Sequence, residues 1–271
     1  MNISLAREAL DCAVAAANAA ADVIRGSSVL VSTLEWVTKG TADFVTQVDR
    51  DAESRIAAVI HGSFPEAVIL GEEMSPDASP ASGTLTFIAD PLDGTTNFLH
   101  GYPQYSVSIA ALLGEELLAG VVLNVARGEL FTAHAGGGAF LDGNRISVSS
   151  ESEPSRALIG TGFPFKNPEL LEGYARQFVA LNRKTAGIRR AGSAALDLAD
   201  VACGRFDGFW ELVLAPWDVA AGILLVREAG GIVTDLGGVT AFASHNAFVA
   251  GNPHIHPWLL AALQAVANTS E

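Results

Sequence analysis

The chain has 271 residues, of which 49% are apolar, so it is long enough for one large domain or two fused halves that share a core. Its formal net charge of −14 argues against a nucleic-acid partner, which needs a basic surface, and would repel an anionic substrate unless cations intervened. No apolar run reaches the length of a membrane span and the N-terminus lacks a signal-peptide pattern, so we expect a cytoplasmic protein without membrane contact.

The first 150 residues predict two helices followed by a series of strands. Residues 4–25 are rich in alanine with apolar side chains at helical spacing, and residues 46–64 predict a second amphipathic helix. Two short apolar runs that end in acids, 66–73 and 83–90, predict buried strands. Residues 105–150 alternate apolar segments with Gly-containing turns, which predicts a run of antiparallel strands.

The Ser- and Glu-rich segment 151–160 predicts a boundary between two halves, 1–150 and 151–271. We expect the halves to form one compact unit with the functional site between them. Beyond the boundary, helices are predicted at 168–182, 193–203, 217–229 and from 257 onwards, and strands at 187–192, at 206–212 and between the last two helices. Helices that alternate with strands, with antiparallel strands in the middle, indicate a layered α+β or mixed α/β fold.

The most informative stretch is FIADPLDGTTNF, residues 87–98. Asp90 ends a predicted strand, and we expect Pro91 to stop that strand because proline fixes φ and lacks an N–H donor. Asp93 and Gly94 follow in a turn, after which TTNF begins a predicted helix whose free N–H groups suit a phosphate. Two carboxylates beside a turn of free carbonyls also suit Mg²⁺, which would cancel their repulsion and attract an anion. The alternative is a strand–helix turn with an aspartate cap.

Further acidic residues lie at the ends of other predicted elements, where loops converge on a cleft. Glu72 and Glu73 follow a strand, Asp49 lies at the start of the second helix, and Asp218 opens the helix WDVAAGILLVREAGG. Each has an ordinary explanation by itself: a helix cap for Asp218, a solvated helix residue for Asp49, and a surface acid for Glu73.

Four motifs, DFVTQVD, GEE, DPLDGTTNF and PWDVAAG, resemble in order and wording those of the inositol monophosphatase family, within the Mg²⁺-dependent, lithium-sensitive phosphatases. The resemblance covers residues 39–235 and includes GAFLDGNRISVS and RRAGSAALDLADVACGRFDGFWE. It implies a layered αβαβα sandwich of the sugar-phosphatase type, usually homodimeric, that hydrolyses small phosphate monoesters with two to three Mg²⁺ ions per active site.

The same resemblance implies the residues that hold metal and activate water. The ligands implied for the first Mg²⁺ are Glu72, Asp90 and the backbone carbonyl of Leu92. Those for the second are Asp90, Asp93 and Asp218, and Glu72 also holds a weaker third ion through waters. The implied catalytic residues are Glu72 together with Asp49 and Thr95, which orient and activate the attacking water.

The residues implied for the substrate surround the metal ligands. The implied phosphate donors are the N–H groups of Gly94 and Thr95, and Glu211 is implied to bind a substrate hydroxyl. The remaining substrate-binding residues implied are Asp93, Gly192, Ser193, Ala194 and Asp218. Lys39 is expected on a mobile loop over the metals.

Other candidate groups have weaker patterns. His254 and His256 form a Pro-flanked HIH pair that we expect on the surface, with metal binding as the alternative. The triple glycine at 136–138 lacks the Lys-Ser/Thr of a P-loop and predicts a turn. Arg189 and Arg190 could attract a phosphate, face a dimer partner or lie on an exposed strand.

The substrate within the family is a separate question. The form DGTTNF and Glu211 in FWEL favour myo-inositol 1-phosphate, with relaxed specificity for polyol phosphates such as glycerol 2-phosphate. The alternatives are histidinol phosphate, fructose 1,6-bisphosphate, a nucleotide phosphate, a purely structural cation site, or a regulatory binding role, since some bacterial members contact transcription or translation machinery.

Overall fold

A computed structural model describes residues 3–28, 37–40, 43–78, 83–165, 167–239 and 246–268. The helices in these residues are α1 Ile3–Ser28, α2 Gln47–Ser63, α3 Thr95–Leu99, α4 Leu171–Asn182, α5 Ala194–Ala202, α6 Pro216–Glu228 and α7 Ile255–Asn268. The strands are β1 Val37–Gly40, β2 Asp43–Val45, β3 Val68–Gly71, β4 Leu85–Asp93, β5 Ser106–Leu113, β6 Glu116–Asn124, β7 Glu129–His134, β8 Gly138–Leu141, β9 Asn144–Ile146, β10 Leu158–Thr161, β11 Gly187–Arg189, β12 Gly208–Leu214, β13 Ile232–Thr234 and β14 Asn246–Gly251.

The described strands form two mixed sheets and a short hairpin. The larger sheet has the order β3-β4-β5-β6-β7-β8-β9, in which β3 and β4 are parallel and the other neighbours antiparallel. The smaller sheet has the order β11-β10-β12-β14-β13, with β10 parallel to both of its neighbours. The hairpin is β1 paired with β2. Lys39 lies in β1, but its side chain and the predicted loop over the metals lie outside the described residues.

These elements stack in five layers, which confirms the predicted αβαβα architecture. Helices α1 and α2 cover one face of the larger sheet, α5 and α6 lie between the two sheets, and α4 and α7 cover the outer face of the smaller sheet. The buried face of α1 consists mostly of alanines, which let it approach its neighbours closely. Within the described part of the chain, no helix is both long and apolar enough to cross a membrane.

The strand β4 departs from the prediction at Pro91. The strand does not stop there but continues to Asp93. Its pairing with β5 shifts at this point, because Asp90 lies opposite Ser108 while Asp93 lies opposite Ser106. Three residue steps on β4 therefore match two on β5, which is a β-bulge, and the bulge absorbs the proline in an otherwise regular ladder.

The HIH pair was also predicted incorrectly in part. His254 is exposed, as expected, but His256 is buried in the first turn of α7, and its Nε2 atom lies 3.0 Å from Thr234 Oγ1. Burial lowers the pKa of His256, which favours the neutral ring. The pair therefore contributes one core side chain and one surface side chain.

The triple glycine forms the predicted turn, between β7 and β8. The carboxylate of Glu228, at the end of α6, accepts the N–H groups of Gly136 and Gly138, both at 2.7 Å. The turn is thus fixed by a protein carboxylate, which occupies the donors that a phosphate would need.

Candidate active site

A pocket of about 480 Å³ opens where the ends of β3, β4 and β12 meet the N-termini of α3, α5 and α6. It is lined by residues from both sides of position 150. The sequence-predicted residues that line it are Glu72, Asp90, Leu92, Asp93, Gly94, Thr95, Gly192, Ser193, Ala194, Glu211 and Asp218. Asp49 does not line the pocket but hydrogen-bonds a residue that does.

The bulge in β4 explains how two aspartates three residues apart reach the same side of the sheet. In a regular strand, residues i and i+3 point to opposite faces. Because Asp90 and Asp93 lie opposite Ser108 and Ser106, which are two residues apart, the bulge restores the alternation and both aspartates line the pocket.

Asp93 joins the two halves of the chain. Its Oδ2 atom accepts the hydroxyl proton of Ser193 at 2.6 Å and the N–H of Ala195 at 2.9 Å, both at the start of α5. Ser106 Oγ lies 3.5 Å from the same oxygen. Since the N-terminus of a helix carries partial positive charge, α5 helps to hold this carboxylate ionised.

The other acids are fixed by backbone groups. Leu92 N–H donates to Asp90 Oδ1 at 2.9 Å, and Ala215 N–H donates to Asp218 Oδ2 at 2.7 Å at the start of α6. Glu72 follows β3, and its N–H donates to Ala89 O at 3.3 Å, which continues the β3–β4 ladder. The carboxylates of Asp90 and Asp218 are thus fixed by backbone N–H groups, and the backbone of Glu72 by the ladder.

The acidic wall of the pocket is electrostatically unfavourable without a cation. Burial first, and then the charges of Glu72, Asp93 and Asp218, raise the pKa of Asp90 well above its usual range. Burial raises the pKa of Asp93 to about 6 despite the hydrogen bonds from α5. Arg190 is the one basic side chain among the described residues that line the pocket. A divalent cation would relieve this repulsion, and carboxylate and carbonyl oxygens are the donors that Mg²⁺ prefers.

The acidic side chains of the pocket do not form a complete set of metal ligands in this structure. In the described ranges, no group of three or more His, Cys, Asp or Glu side chains already stands around one point as ligands. The residue types and their burial fit Mg²⁺, while the assignment of individual ligands remains a prediction.

Asp49 and Thr95 form a hydrogen-bonded pair beside the acidic wall. Thr95 Oγ1 lies 3.1 Å from Asp49 Oδ1 and 3.1 Å from the carbonyl oxygen of Leu92, so its proton has two alternative acceptors. The other Asp49 oxygen accepts the N–H and the hydroxyl of Thr46, at 2.8 and 2.6 Å, in the capping box of α2. Asp49 is buried, in contrast to the solvated helix residue that was its ordinary explanation.

The turn at Gly94 requires glycine. Its φ is 95°, and a Cβ atom there would lie 3.0 Å from the carbonyl oxygen of Gln104 and 3.1 Å from that of Gly192. Asn97 Nδ2 donates to the carbonyls of Gln104 and Ala191, at 2.6 and 2.9 Å. These contacts bring the start of α3 against the loop before α5, where phosphate-binding and alcohol-binding residues were predicted.

Glu211, Asp197 and Arg190 also line the pocket, and we call them the alcohol side after the role predicted for Glu211. Glu72, Asp90, Asp93 and Asp218 are called the metal side after their predicted role. Glu211 is buried on β12 against Gly162, where any larger residue would overlap the carboxylate. The guanidinium of Arg190 lies 4.9 Å above the ring of Phe163. Both arginines are exposed, but Arg190 lines the pocket and Arg189 does not.

Asp197 is a pocket residue that the sequence did not indicate. It is buried on α5, and its Oδ1 atom has no hydrogen-bond partner in the described structure. Burial, and then the charge of Glu211, raise the pKa of Asp197 well above its usual range. It lies inside the run SAALDLADVA, where its helical spacing is that of an ordinary polar helix residue, so only the packing of α5 reveals it.

Comparisons with known proteins identify the family of this chain. The sequence profile of the inositol monophosphatase family matches residues 5–268. The chain belongs to the inositol monophosphatase family. The match extends beyond residues 39–235, where the motifs lie, into the first and last helices.

Two relatives and one solved structure illustrate the range of this family. The chain is 45% identical over 234 residues to an inositol-1-monophosphatase of Rhizobium meliloti, covering 86% of this chain and 88% of that protein. It is 44% identical over 258 residues to the Nus factor SuhB of Pseudomonas aeruginosa, covering 94% and 95%. The structure of inositol monophosphatase from Anabaena (Nostoc) sp. PCC 7120 matches with a TM-score of 0.84, 38% identity and 96% coverage of each chain.

Proposed function

We propose that this protein is a Mg²⁺-dependent phosphate monoester hydrolase that converts myo-inositol 1-phosphate and water to myo-inositol and phosphate. The observation that carries the proposal is the meeting of four carboxylates from three separate chain segments, Glu72, Asp90 with Asp93, and Asp218, in one pocket beside the Gly94 turn. The family shown by the comparisons supports the reaction class.

The acidic wall would hold two to three Mg²⁺ ions. The first would use Glu72, Asp90 and the carbonyl of Leu92, and the second Asp90, Asp93 and Asp218, with Glu72 sharing a third. When bound, Mg²⁺ supplies positive charge to the phosphate and makes a water molecule easier to ionise. Metal binding also explains why an acidic chain accepts an anionic substrate.

The remaining chemistry belongs to the protein's own side chains. The Thr95 hydroxyl donates a hydrogen bond to Asp49 Oδ1, which leaves the lone pairs of Thr95 Oγ1 able to accept a hydrogen bond from the attacking water. As the water attacks phosphorus, its proton passes to Thr95 Oγ1 while the Thr95 proton passes to the Asp49 carboxylate, so Thr95 stays neutral and Asp49 becomes protonated. The N–H groups of Gly94 and Thr95, at the start of α3, donate to the phosphate oxygens. Glu211, with Gly192, Ser193 and Ala194, binds the leaving alcohol.

Phosphate release from a panel of monoesters tests the proposal. The panel contains inositol 1-phosphate, glycerol 2-phosphate, histidinol phosphate, fructose 1,6-bisphosphate and an adenosine bisphosphate, each with and without millimolar Mg²⁺ and with added Li⁺. We expect Mg²⁺-dependent, Li⁺-inhibited release that is fastest with inositol 1-phosphate. Faster release from another ester would replace the substrate and keep the chemistry, while no release from any ester would refute the enzymatic proposal.

A second candidate function is a binding role of the same fold. It is favoured by the 44% identity to a protein named Nus factor SuhB. A partner-binding surface does not need turnover, so Asp93→Ala should abolish phosphate release and leave partner binding intact. Loss of both in a variant that remains folded would argue that binding depends on the catalytic pocket.

We further propose a cytoplasmic homodimer. The short helix α4 exposes Leu171 and Val179, at 50% and 46% of their surface, and Phe163 beside it is 42% exposed. We expect these exposed apolar side chains to lie in the surface that the second subunit covers. Light scattering on the purified protein checks the mass, and a monomer at micromolar concentration would contradict this part of the proposal.

A further inference from the structure

The turn after β3, which carries Glu72, is held by hydrogen bonds to Glu53 of the helix α2. Glu53, one helical turn after Asp49, is buried with 2% of its surface exposed. Its Oε2 atom accepts the N–H of Glu73 at 2.8 Å, and its Oε1 atom accepts the N–H of Met74 at 3.0 Å. Both carboxylate oxygens are therefore used to bind the two residues that follow Glu72.

The strand before this turn leaves room for the Glu53 carboxylate. Gly71 ends β3, and a Cβ atom at that position would overlap Glu53 Oε1. The other side of the turn is fixed by Ser75, whose hydroxyl donates to Ile69 O at 2.8 Å and accepts the N–H of Gly71 at 3.2 Å. The turn is thus anchored at both ends, with Glu72 between the anchors.

Asp49 and Glu53 lie four residues apart and so on the same face of α2. Asp49 contacts Thr95 in the segment after β4, and Glu53 contacts the turn after β3. The helix α2 therefore contacts two segments that line the pocket, the turn after β3 and the segment after β4. Glu53 itself does not line the pocket.

We propose that Glu53 is a positioning residue for the Mg²⁺ site: by binding the N–H groups of Glu73 and Met74, it directs the Glu72 carboxylate into the pocket. This inference rests on the proposed function, because it assigns Glu72 to the metal. Residues that orient ligands change metal affinity about 10- to 100-fold when they are replaced.

The test is Glu53→Gln, which keeps the shape but replaces one accepting oxygen with an NH₂ group that faces an N–H. We expect Mg²⁺ binding to the folded, metal-free protein, measured by calorimetry, to weaken by about tenfold or more. The Mg²⁺ concentration for half-maximal turnover should rise in parallel, while the KM for the ester at saturating Mg²⁺ stays within about twofold of the wild type. Hydrogen exchange at the amides of Glu73 and Met74 should accelerate.

Glu228→Gln is the matched control. Glu228 also accepts two N–H groups of a turn, those of Gly136 and Gly138, but that turn lies outside the pocket. We expect a similar loss of thermal stability with unchanged Mg²⁺ affinity. Ser75→Ala is a second variant, for use if Glu53→Gln does not fold, and it should weaken Mg²⁺ binding in the same direction by a smaller factor.

The outcomes separate this inference from the function on which it rests. A wild-type protein that does not bind Mg²⁺ would refute the proposed function and the inference with it. A wild type that binds Mg²⁺, with Glu53→Gln or Ser75→Ala binding it equally well and only less stable, would overturn the inference alone, because Glu53 would then be a structural cap like Glu228.

Discussion

The carboxylates on the metal side and on the alcohol side of the pocket differ in their hydrogen bonding. On the metal side, Asp90, Asp93 and Asp218 each accept at least one hydrogen bond from a backbone N–H or a hydroxyl. On the alcohol side, Asp197 is as buried as Asp90 but keeps one oxygen without a hydrogen-bond partner in the described structure. The metal-side acids thus have hydrogen bonds that partly offset the rise in pKa that burial causes at Asp90 and Asp93, whereas Asp197 on the alcohol side has an oxygen that the protein itself does not satisfy.

This contrast has a physical consequence for stability and for function. Hydrogen bonds to a carboxylate favour its ionised form, while burial without partners favours the neutral form. Changes on the metal side should therefore reduce turnover strongly with little loss of stability, whereas changes on the alcohol side should alter substrate preference or stability.

The largest effect is expected for Asp93→Asn on the metal side. The amide can still accept from Ser193 and Ala195 but removes the negative charge, so the fold should persist while Mg²⁺ binding and turnover fall. Because metal stabilisation of the reaction is worth several kcal/mol, kcat should drop by about 10³-fold or more. Phosphate release under saturating Mg²⁺ measures this drop in kcat, and the melting temperature shows whether the variant is folded.

A metal-free Asp93→Asn protein should melt at or above the wild-type temperature, because the repulsion with Glu72 is reduced. A variant that unfolds, or one that retains most of its turnover, would contradict the proposal that the charge of Asp93 serves Mg²⁺ binding rather than folding.

The next effect is expected for Thr95→Ala, which removes the hydroxyl between Asp49 and the pocket. A positioned proton acceptor typically contributes about 10²- to 10⁴-fold, so kcat should fall by about 10²-fold. Mg²⁺ affinity should change little because Thr95 contributes no charge. Steady-state kinetics over a Mg²⁺ series measures both quantities.

Thr95→Ser keeps the hydroxyl and is the matched control, with turnover close to the wild type. If Thr95→Ala were as active as Thr95→Ser, the pair with Asp49 would serve only to hold α2 against the segment after β4.

A smaller effect, confined to certain substrates, is expected for Glu211→Gln on the alcohol side. The KM for inositol 1-phosphate should rise by about tenfold, since a hydrogen bond to a charged group is worth roughly 1.5–3 kcal/mol. A phenyl phosphate, which has no hydroxyl on its leaving group, should be affected much less. Equal losses for both esters would indicate that Glu211 acts on the metal side of the pocket as well.

The smallest effect is expected for Asp197→Asn, and it concerns stability. Burial, Glu211, Asp200 and Asp93 raise the pKa of Asp197, while Arg190 lowers it. The folded protein therefore holds this proton more tightly than the unfolded chain, so the contribution of Asp197 to stability falls as the pH rises above its unfolded pKa. Asp197→Asn should therefore gain stability relative to the wild type between pH 4 and pH 8, because the amide does not ionise.

Urea unfolding at pH 4, 6 and 8 measures this difference, which should shrink toward pH 4. The exposed Asp11 supplies a control, Asp11→Asn, for which the difference between pH 4 and pH 8 should be small. A stability difference between Asp197→Asn and the wild type that does not depend on pH would show that the pKa of Asp197 is the same in the folded and unfolded chains, which would contradict the raised pKa.

Much of the fold followed from local patterns. The Ala-rich period of α1, the apolar runs of β3 and β4, and the glycine turns between β5 and β9 all lie close to where the sequence placed them. The layered architecture and the family were also recognisable, because the four motifs occur in a fixed order. The division into halves at 151–160 remains a prediction, since α5 and α6 pack against both sheets.

The sequence by itself determined which acids border the site. Glu72 follows β3, Asp93 ends β4 and Asp218 lies in the first turn of α6, while Asp90 ends the apolar run that predicted a strand. Only the tertiary structure decided how their side chains are oriented toward the pocket. The bulge at Pro91 brings Asp90 and Asp93 to one side, Glu53 reaches the turn after Glu72, and the packing of α5 buries Asp197. The physical reason is that a strand's register and a side chain's partners depend on neighbours distant in sequence, which no local pattern encodes.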